Sequence, residues 1–374
     1  MGTAMATCQV CGEKSLLVAQ VLSVCRDCIL NRFSDCEKYI REAHHKRADF
    51  GLEPTPPTCT TGVECRLCAN HCRIGRDSFG YCGVRENRDG RIRQWMNAGS
   101  VSWYFDSLPT NCVADWVCPG GTEAGYPDYS YTQGPEFGYK NLAVFYEACN
   151  FDCLFCQNWH FRLQSRGGEL HSARELANSV DHRTSCVCFF GGDPTPQLPH
   201  AIRASTLAMR EANSSPTPRI LRICWETNGG MHPFLARKMM DISLRTGGCV
   251  KFDLKAMNER INIALCGVSN KTTLENFRML SSFFEKRPDP PPLVASTLLV
   301  PGYVDEDEVA AIARFIAGLN PEIPYSLLAF HPHFLMPDLP PTSRRHAERA
   351  NDAALSQGLT RVKVGNLHLL DATY

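Results

Sequence analysis

The chain has 374 residues, 39 basic and 39 acidic side chains, and a formal net charge of zero. That balance, without a long basic run, argues against nucleic acid or a membrane surface as the main partner. A hydrophobic content of 44% supports a sizeable core. No apolar run reaches the length of about 18 residues that a spanning helix needs.

The start, Met1 to Cys8, has neither a basic stretch nor an apolar core of signal-peptide type, so a cytoplasmic location is expected. Twenty cysteines, several in CxxC pairs, then read as metal ligands rather than disulfides. Fifteen of them fall at or before Cys156 and none follows Cys266, so extra metal sites are expected toward the N-terminus.

Residues 1–55 carry Cys8-x-x-Cys11 and Cys25-x-x-Cys28, a spacing that suits one tetrahedral zinc in a short ribbon. A polar helix is expected over 35–45, with His44 and His45 solvated, and Pro54-Thr-Pro-Pro57 reads as a linker. Residues 56–138 hold a second set, Cys65, Cys68, Cys72 and Cys82, able to close a zinc site or an auxiliary iron–sulfur cluster. Cys59, Cys112 and Cys118 have no assignment, and 99–138, rich in Gly, Pro, Tyr and Trp, reads as ordered but irregular loop.

From residue 139 to 374 strands and helices alternate. Strands are expected at 142–147, 186–190, 220–226, 249–254, 293–300, 325–330 and 361–364. Helices are expected at 172–182, 197–212, 232–246, 271–286, 305–318 and 342–357. Such repetition implies parallel strands with right-handed crossovers. Six or seven units fall short of a closed eight-unit barrel, so the expected fold is α/β, an open partial TIM-like (β/α)6 barrel with a cysteine-rich N-terminal extension. Cys186 and Cys188 share a strand face and read as small core residues, and Cys266 as a buried inert thiol.

The chemistry centres on Cys149-x-x-x-Cys153-x-x-Cys156, directly after the first barrel strand. Three thiolates on one iron–sulfur cube leave the fourth iron open to a small molecule. A zinc site or scattered thiols would have the same spacing, but the other polar clusters fall at the same strand ends: Gly191-Gly-Asp-Pro194, Thr227-Asn-Gly229, Asp253-Leu-Lys255, Pro301-Gly302 and His331-Pro-His333. Barrel active sites are built there.

With Glu226-Thr-Asn-Gly229, Cys266-Gly-Val-Ser-Asn270 and Val300-Pro-Gly-Tyr-Val-Asp305, these segments resemble radical S-adenosylmethionine (SAM) enzymes of the pyruvate formate-lyase activating type. Cys65-Arg-Leu-Cys-Ala-Asn-His-Cys72 and Gly80-Tyr-Cys-Gly83 are similar to the AmmeMemoRadiSam-type radical SAM proteins. The resemblance implies a 4Fe-4S cluster on Cys149, Cys153 and Cys156, with SAM on its open iron. A 5′-deoxyadenosyl radical would then take hydrogen from a small molecule, a peptide or, alternatively, a glycine of a partner protein. A flavodoxin- or ferredoxin-type reductant is implied too.

Gly191 and Gly192 would let backbone approach the SAM ammonium. Asp193 stands where the family has Glu, one methylene short for direct contact. Lys255 would neutralise the SAM carboxylate, and His331 would bond the cofactor or lie near substrate. Asn228 would reach the ribose or carboxylate, and Glu226, Thr227 and Asp253 would hold a monovalent cation.

Overall fold

The computed structural model describes residues 5–93, 98–214 and 219–374. Nine strands form one sheet: β1 (Ala98–Ser107), β2 (Lys140–Tyr146), β3 (Leu170–Ser172), β4 (Thr184–Phe190), β5 (Arg222–Thr227), β6 (Val250–Asp253), β7 (Leu293–Leu299), β8 (Tyr325–Ala329) and β9 (Val362–Gly365). Their order is β3-β1-β2-β4-β5-β6-β7-β8-β9. The seven strands from β2 through β4 to β9 are parallel, while β1 runs antiparallel to β2, and β3 to β1. Six helical crossovers join the parallel strands, so the sheet is the expected open (β/α)6 array with a seventh strand and an antiparallel edge.

In the N-terminal extension lie α1 (Arg26–Asn31) and α2 (Phe33–His45). The crossover helices are α3 (Ala173–Asn178), α4 (Leu198–Ser214), α5 (Pro233–Thr246), α6 (Glu259–Cys266), α7 (Lys271–Ser281), α8 (Glu306–Ala317) and α9 (Arg344–Ser356). Several start on side-chain caps: Ser172 forms a capping box with Glu175, and Asp305 and Ser343 accept from the backbone three residues on.

Period-two alternation divides each strand between two environments. Val187, Phe189, Ile223, Trp225, Val250 and Phe252 pack under the helices, with Phe189 and Trp225 stacked at 4.6 Å. The opposite face carries Cys186, Cys188, Cys224, Glu226, Lys251, Asp253 and Ser296, all lining internal cavities. The sheet therefore wraps a polar interior inside an apolar outer shell. Among the described residues no helix is long and apolar enough to cross a membrane.

Three expectations need correction. Residues 99–138 are not all irregular, because β1 pairs with β2 over Val101–Ser107 and supplies the antiparallel edge. The crossover between β6 and β7 contains an additional helix, α6, capped by Asn258. The helices expected at 172–182 and 271–286 stop at Asn178 and Ser281, the latter followed by a separate turn at Phe284–Lys286.

Candidate active site

One cavity of about 690 Å³ opens at the C-terminal ends of the strands. It lies in the size range of small-molecule and cofactor sites. Cys149, Cys153, Cys156, Gly191, Gly192, Asp193, Glu226, Thr227, Asn228, Asp253 and Lys255 all line it. His331 does not: it is exposed, and the histidine on the wall is His368, from the segment after β9.

The loop 147–156 leaves β2 and turns over the cavity. Asp152 anchors it from behind. Its carboxylate accepts from His44 Nδ1 at 2.9 Å, Arg47 at 3.1 Å and Arg162 at 2.9 Å, all buried. Burial alone would push the Asp152 carboxyl up, but the His44 hydrogen bond and the two guanidinium charges hold it well below the usual range. His44 is thus not solvated as its sequence context suggested: Nδ1 faces Asp152 and Nε2 faces the carbonyl of Ala264 at 3.1 Å. His45 is exposed. Helix α2 therefore braces the cysteine loop, a contact between residues more than a hundred positions apart.

The glycine turn after β4 is held just as closely. Gly191 and Gly192 have φ of +69° and +45°. A Cβ on Gly192 would stand 2.2 Å from the Tyr146 carbonyl oxygen and 2.4 Å from that of Ala148. Two glycines are needed here for the backbone to nest against β2 and the cysteine loop, besides any approach to a ligand. Asp193 serves the same turn: its carboxylate accepts from Thr195 N at 2.8 Å, Asn228 N at 2.7 Å and Thr227 Oγ1 at 3.1 Å. Burial pushes its carboxyl upward, partly offset by those bonds. The shorter side chain ties two cavity loops together. Asn228 in turn donates to Asn150 at 2.8 Å, with Cys149 Sγ 3.7 Å away.

Both carboxylates expected to hold a cation already have ammonium partners. Lys251 reaches Glu226 at 2.7 Å, and Lys255 is paired with Asp253. Lys255 also lies 5.5 Å from the Phe155 ring. Burial opposes its charge, but Asp253 and Cys153 raise its pKa well above the ordinary lysine range. Asp253 Oδ1 is buried without a partner, an acceptor free at the wall.

The three cavity cysteines do not close to within 4.8 Å of one another, as the ligands of a single ion do elsewhere in the chain. A tetrahedral zinc with bonds of about 2.3 Å needs sulfurs roughly 3.8 Å apart. The open triad fits a larger, multi-iron core. Cys153 is held below the ordinary thiol range, first by a bond from Cys266 and then, against burial, by Lys255, whereas burial pushes Cys149 and Cys156 up.

Cys8, Cys11, Cys25 and Cys28 are the one such group among the described residues, with all four sulfurs within 4.8 Å. Cys65, Cys68, Cys72 and Cys82 line a small cleft with Arg85 and Pro196, but their sulfurs are further apart. That segment touches the site from outside: Asn70 donates to the Asn150 carbonyl at 2.7 Å, and Ala69 N to Gly230 O at 2.9 Å.

Lys251, Cys112, Asp152 and Arg162 were not identified from sequence. Lys251 carried a signal, a charge in the interior of the short strand Val250-Lys-Phe-Asp253, on the same strand face as Asp253. Asp152 and Arg162 carried none, since their partners lie in another segment.

Residues 143–316, from β2 to the end of α8, match the Radical SAM superfamily. An uncharacterized protein of Methanocaldococcus jannaschii is 25% identical over 318 residues, covering 82% of this chain and 81% of that one. The isethionate sulfite-lyase activating enzyme of Desulfovibrio desulfuricans is 39% identical over 98 residues, 24% of this chain and 30% of its own. The pyruvate formate-lyase 1-activating enzyme of Escherichia coli is 26% identical over 192 residues, 50% of this chain and 73% of its own. Among solved structures, a domain of the pyruvate-formate lyase-activating enzyme from Bacteroides vulgatus aligns with 48% of this chain and 98% of its own, at 21% identity and TM-score 0.37. The chain carries a radical SAM domain and is a radical SAM enzyme, with pyruvate formate-lyase and isethionate sulfite-lyase activating enzymes among its homologues.

Proposed function

We propose that Cys149, Cys153 and Cys156 hold a 4Fe-4S cluster and that the 690 Å³ cavity receives SAM and the substrate. When bound, cluster and SAM supply a 5′-deoxyadenosyl radical that takes a hydrogen atom from a small molecule or peptide. The observation that carries this reading is the open cysteine triad on the same wall as the glycine turn, Lys255 and an unpartnered Asp253 oxygen.

Each residue has a physical part. Lys255 offers its ammonium to the SAM carboxylate, at the expense of its bond to Asp253. Asp253 Oδ1 accepts from the SAM ammonium or a ribose hydroxyl. Thr227 and Asn228, fixed by Asp193, shape the ribose side. Lys251 on Glu226 takes the place that a monovalent cation would occupy. The Cys8, Cys11, Cys25 and Cys28 set binds one structural zinc, and Cys65, Cys68, Cys72 and Cys82 a second metal. A flavodoxin- or ferredoxin-type protein supplies the electron. An oxygen-labile cluster favours the reducing cytoplasm.

A second reading rests on the activating-enzyme homologues: the substrate is then a glycine of a partner protein. Anaerobic reconstitution followed by dithionite and SAM tests the shared step. 5′-Deoxyadenosine by mass spectrometry, abolished in the Cys149→Ala, Cys153→Ala, Cys156→Ala variant, is expected. A fully loaded, reducible cluster that leaves SAM intact with every candidate substrate would refute it. A stable organic radical on a co-incubated partner protein would select the second reading.

A further inference from the structure

Below the SAM cavity, toward the N-terminal ends of the strands, the barrel holds a second chamber of about 130 Å³, partly open past the exposed Tyr104 and Asn111. Its chemistry is unusual. Cys112, Cys118, Cys186, Cys188, Cys224 and Cys249 all line it. A wall of this size drawn at the chain's overall cysteine frequency would carry one or two.

The six thiols come from four separate segments that meet only in the fold. Cys186 and Cys188 point inward from β4, and Cys224 on β5 pairs in register with Cys188. Cys249 directly precedes β6, and its carbonyl accepts from Trp225 N at 2.9 Å. Cys112 and Cys118 belong to a loop after β1 that plugs the barrel, held by Trp116 Nε1 donating to Ser326 Oγ at 3.0 Å.

The arrangement is layered. Lys251, with its side chain 2% exposed, points its ammonium at Cys112 Sγ (3.0 Å), Cys188 Sγ (3.2 Å) and Glu226 (2.7 Å). It forms part of the partition between the chamber and the SAM cavity, which share Asn111, Cys112, Asp115, Phe190, Glu226 and Lys251 as lining. An ammonium donating to two sulfurs favours negative charge there. The other four cysteines lie beyond it. Cys186 Sγ and Cys224 Sγ are 3.7 Å apart, Cys224 also interacts with Cys249, and Cys118 lies close enough to Cys224 to feel its charge. The four sulfurs do not all lie within 4.8 Å of one another, although Cys186 and Cys224 alone stand at the spacing of two thiolates on one metal ion.

We propose that Cys118, Cys186, Cys224 and Cys249 bind a second iron–sulfur cluster inside the barrel, with Lys251, Cys112 and Cys188 as the hydrogen-bonded partition between it and the SAM cavity. Thiolate ligation is the common mode of such clusters, and hydrogen bonds to sulfur are among the levers that set their potential. A core of apolar side chains would have filled the chamber without thiols or a buried ammonium. The proposal needs neither N-terminal cysteine set and stands apart from the SAM reaction.

The test is a crystal of the full-length protein reconstituted with iron and sulfide without oxygen, with anomalous data at the iron and zinc edges. An iron peak bounded by Cys118, Cys186, Cys224 and Cys249 is expected, separate from any iron at Cys149, Cys153 and Cys156. Four free thiols, a disulfide or zinc alone in the chamber would overturn it. Iron at the triad with an empty chamber would leave the radical reading intact; iron in the chamber with none at the triad would do the reverse. In solution, adding Cys186→Ser and Cys224→Ser to the variant lacking the triad should lower iron by roughly two to four atoms per chain, with matching sulfide. Zinc content should not change. Unchanged iron and sulfide would contradict the proposal.

Discussion

Asp152 is the anion between two buried guanidinium groups and a buried imidazole, and it sits next to Cys153 in the loop that frames the cavity. Removing one partner of a buried charge network leaves uncompensated charge in a low-dielectric interior. Asp152→Asn is expected to cost about 3–5 kcal/mol, read from the urea midpoint of the apo protein, and to loosen iron at the triad. A midpoint matching the wild type would show that the loop is held by something else. Gly192 gives a second residue-level prediction. An alanine there meets two carbonyl oxygens at 2.2 and 2.4 Å, so Gly192→Ala must displace either the glycine turn or the cysteine loop. The strain amounts to roughly 1–3 kcal/mol, and SAM affinity by equilibrium dialysis should fall while iron content is retained. At this scale the motif residues were legible because each is a chemically distinctive type at the end of a strand. His331 follows β8 in sequence order, yet its side chain is exposed and the histidine on the wall is His368. Lys251 and the thiols of Cys112 and Cys118 were illegible because their meaning depends on which strand faces converge.

Among the elements, the junction between β2 and α4 shows how a buried pair can report pH. Tyr146 on β2 donates to His200 Nδ1 on α4 at 2.7 Å, and His200 Nε2 donates to the His171 carbonyl at 3.1 Å. Both rings are buried, and burial lowers the His200 pKa from its usual range to about 4. The folded state therefore keeps His200 neutral, while the unfolded chain takes up a proton below about 6.5. Its contribution is complete above pH 6.5 and is lost as pH falls toward 4. His200→Gln keeps an acceptor for Tyr146 and cannot titrate. The wild type should lose up to about 3 kcal/mol relative to this variant between pH 6.5 and 4, measured by urea unfolding at both values. A pH-independent difference would count against the neutral buried histidine. The parallel strands were readable from their apolar runs, whereas β1 was obscured by the glycine- and proline-rich loop that follows it. Its Val101-Ser-Trp-Tyr-Phe105 segment has the β-branched and aromatic content of a strand. Helix α6 was missed because eight residues of mixed polarity give too little periodicity to separate from a loop.

Across the molecule, the N-terminal extension docks on the same end of the barrel that carries the site. Tyr303, in the turn after β7, donates to the Val24 carbonyl at 3.0 Å and accepts from Ala19 N at 2.9 Å, and Arg26 pairs with Asp305 at 3.1 Å. The four clustered thiols at Cys8, Cys11, Cys25 and Cys28 draw the two ends of this segment together, and Cys25 is also the residue from which α1 starts. From α1 the chain runs directly into α2, whose His44, together with Arg47 just beyond it, reaches Asp152. A metal held by the ribbon would thereby be linked to the cysteine loop about 125 residues away in sequence, through packed helices rather than direct contact. Cys25→Ser with Cys28→Ser should remove one zinc per chain by elemental analysis. Hydrogen exchange should then quicken first over residues 5–50 and next over 150–156, while the outer strands β5 to β7 stay protected. Faster exchange confined to 5–50 would show that the ribbon folds with zinc but does not support the site. Retention of zinc by the variant would assign the metal to other cysteines.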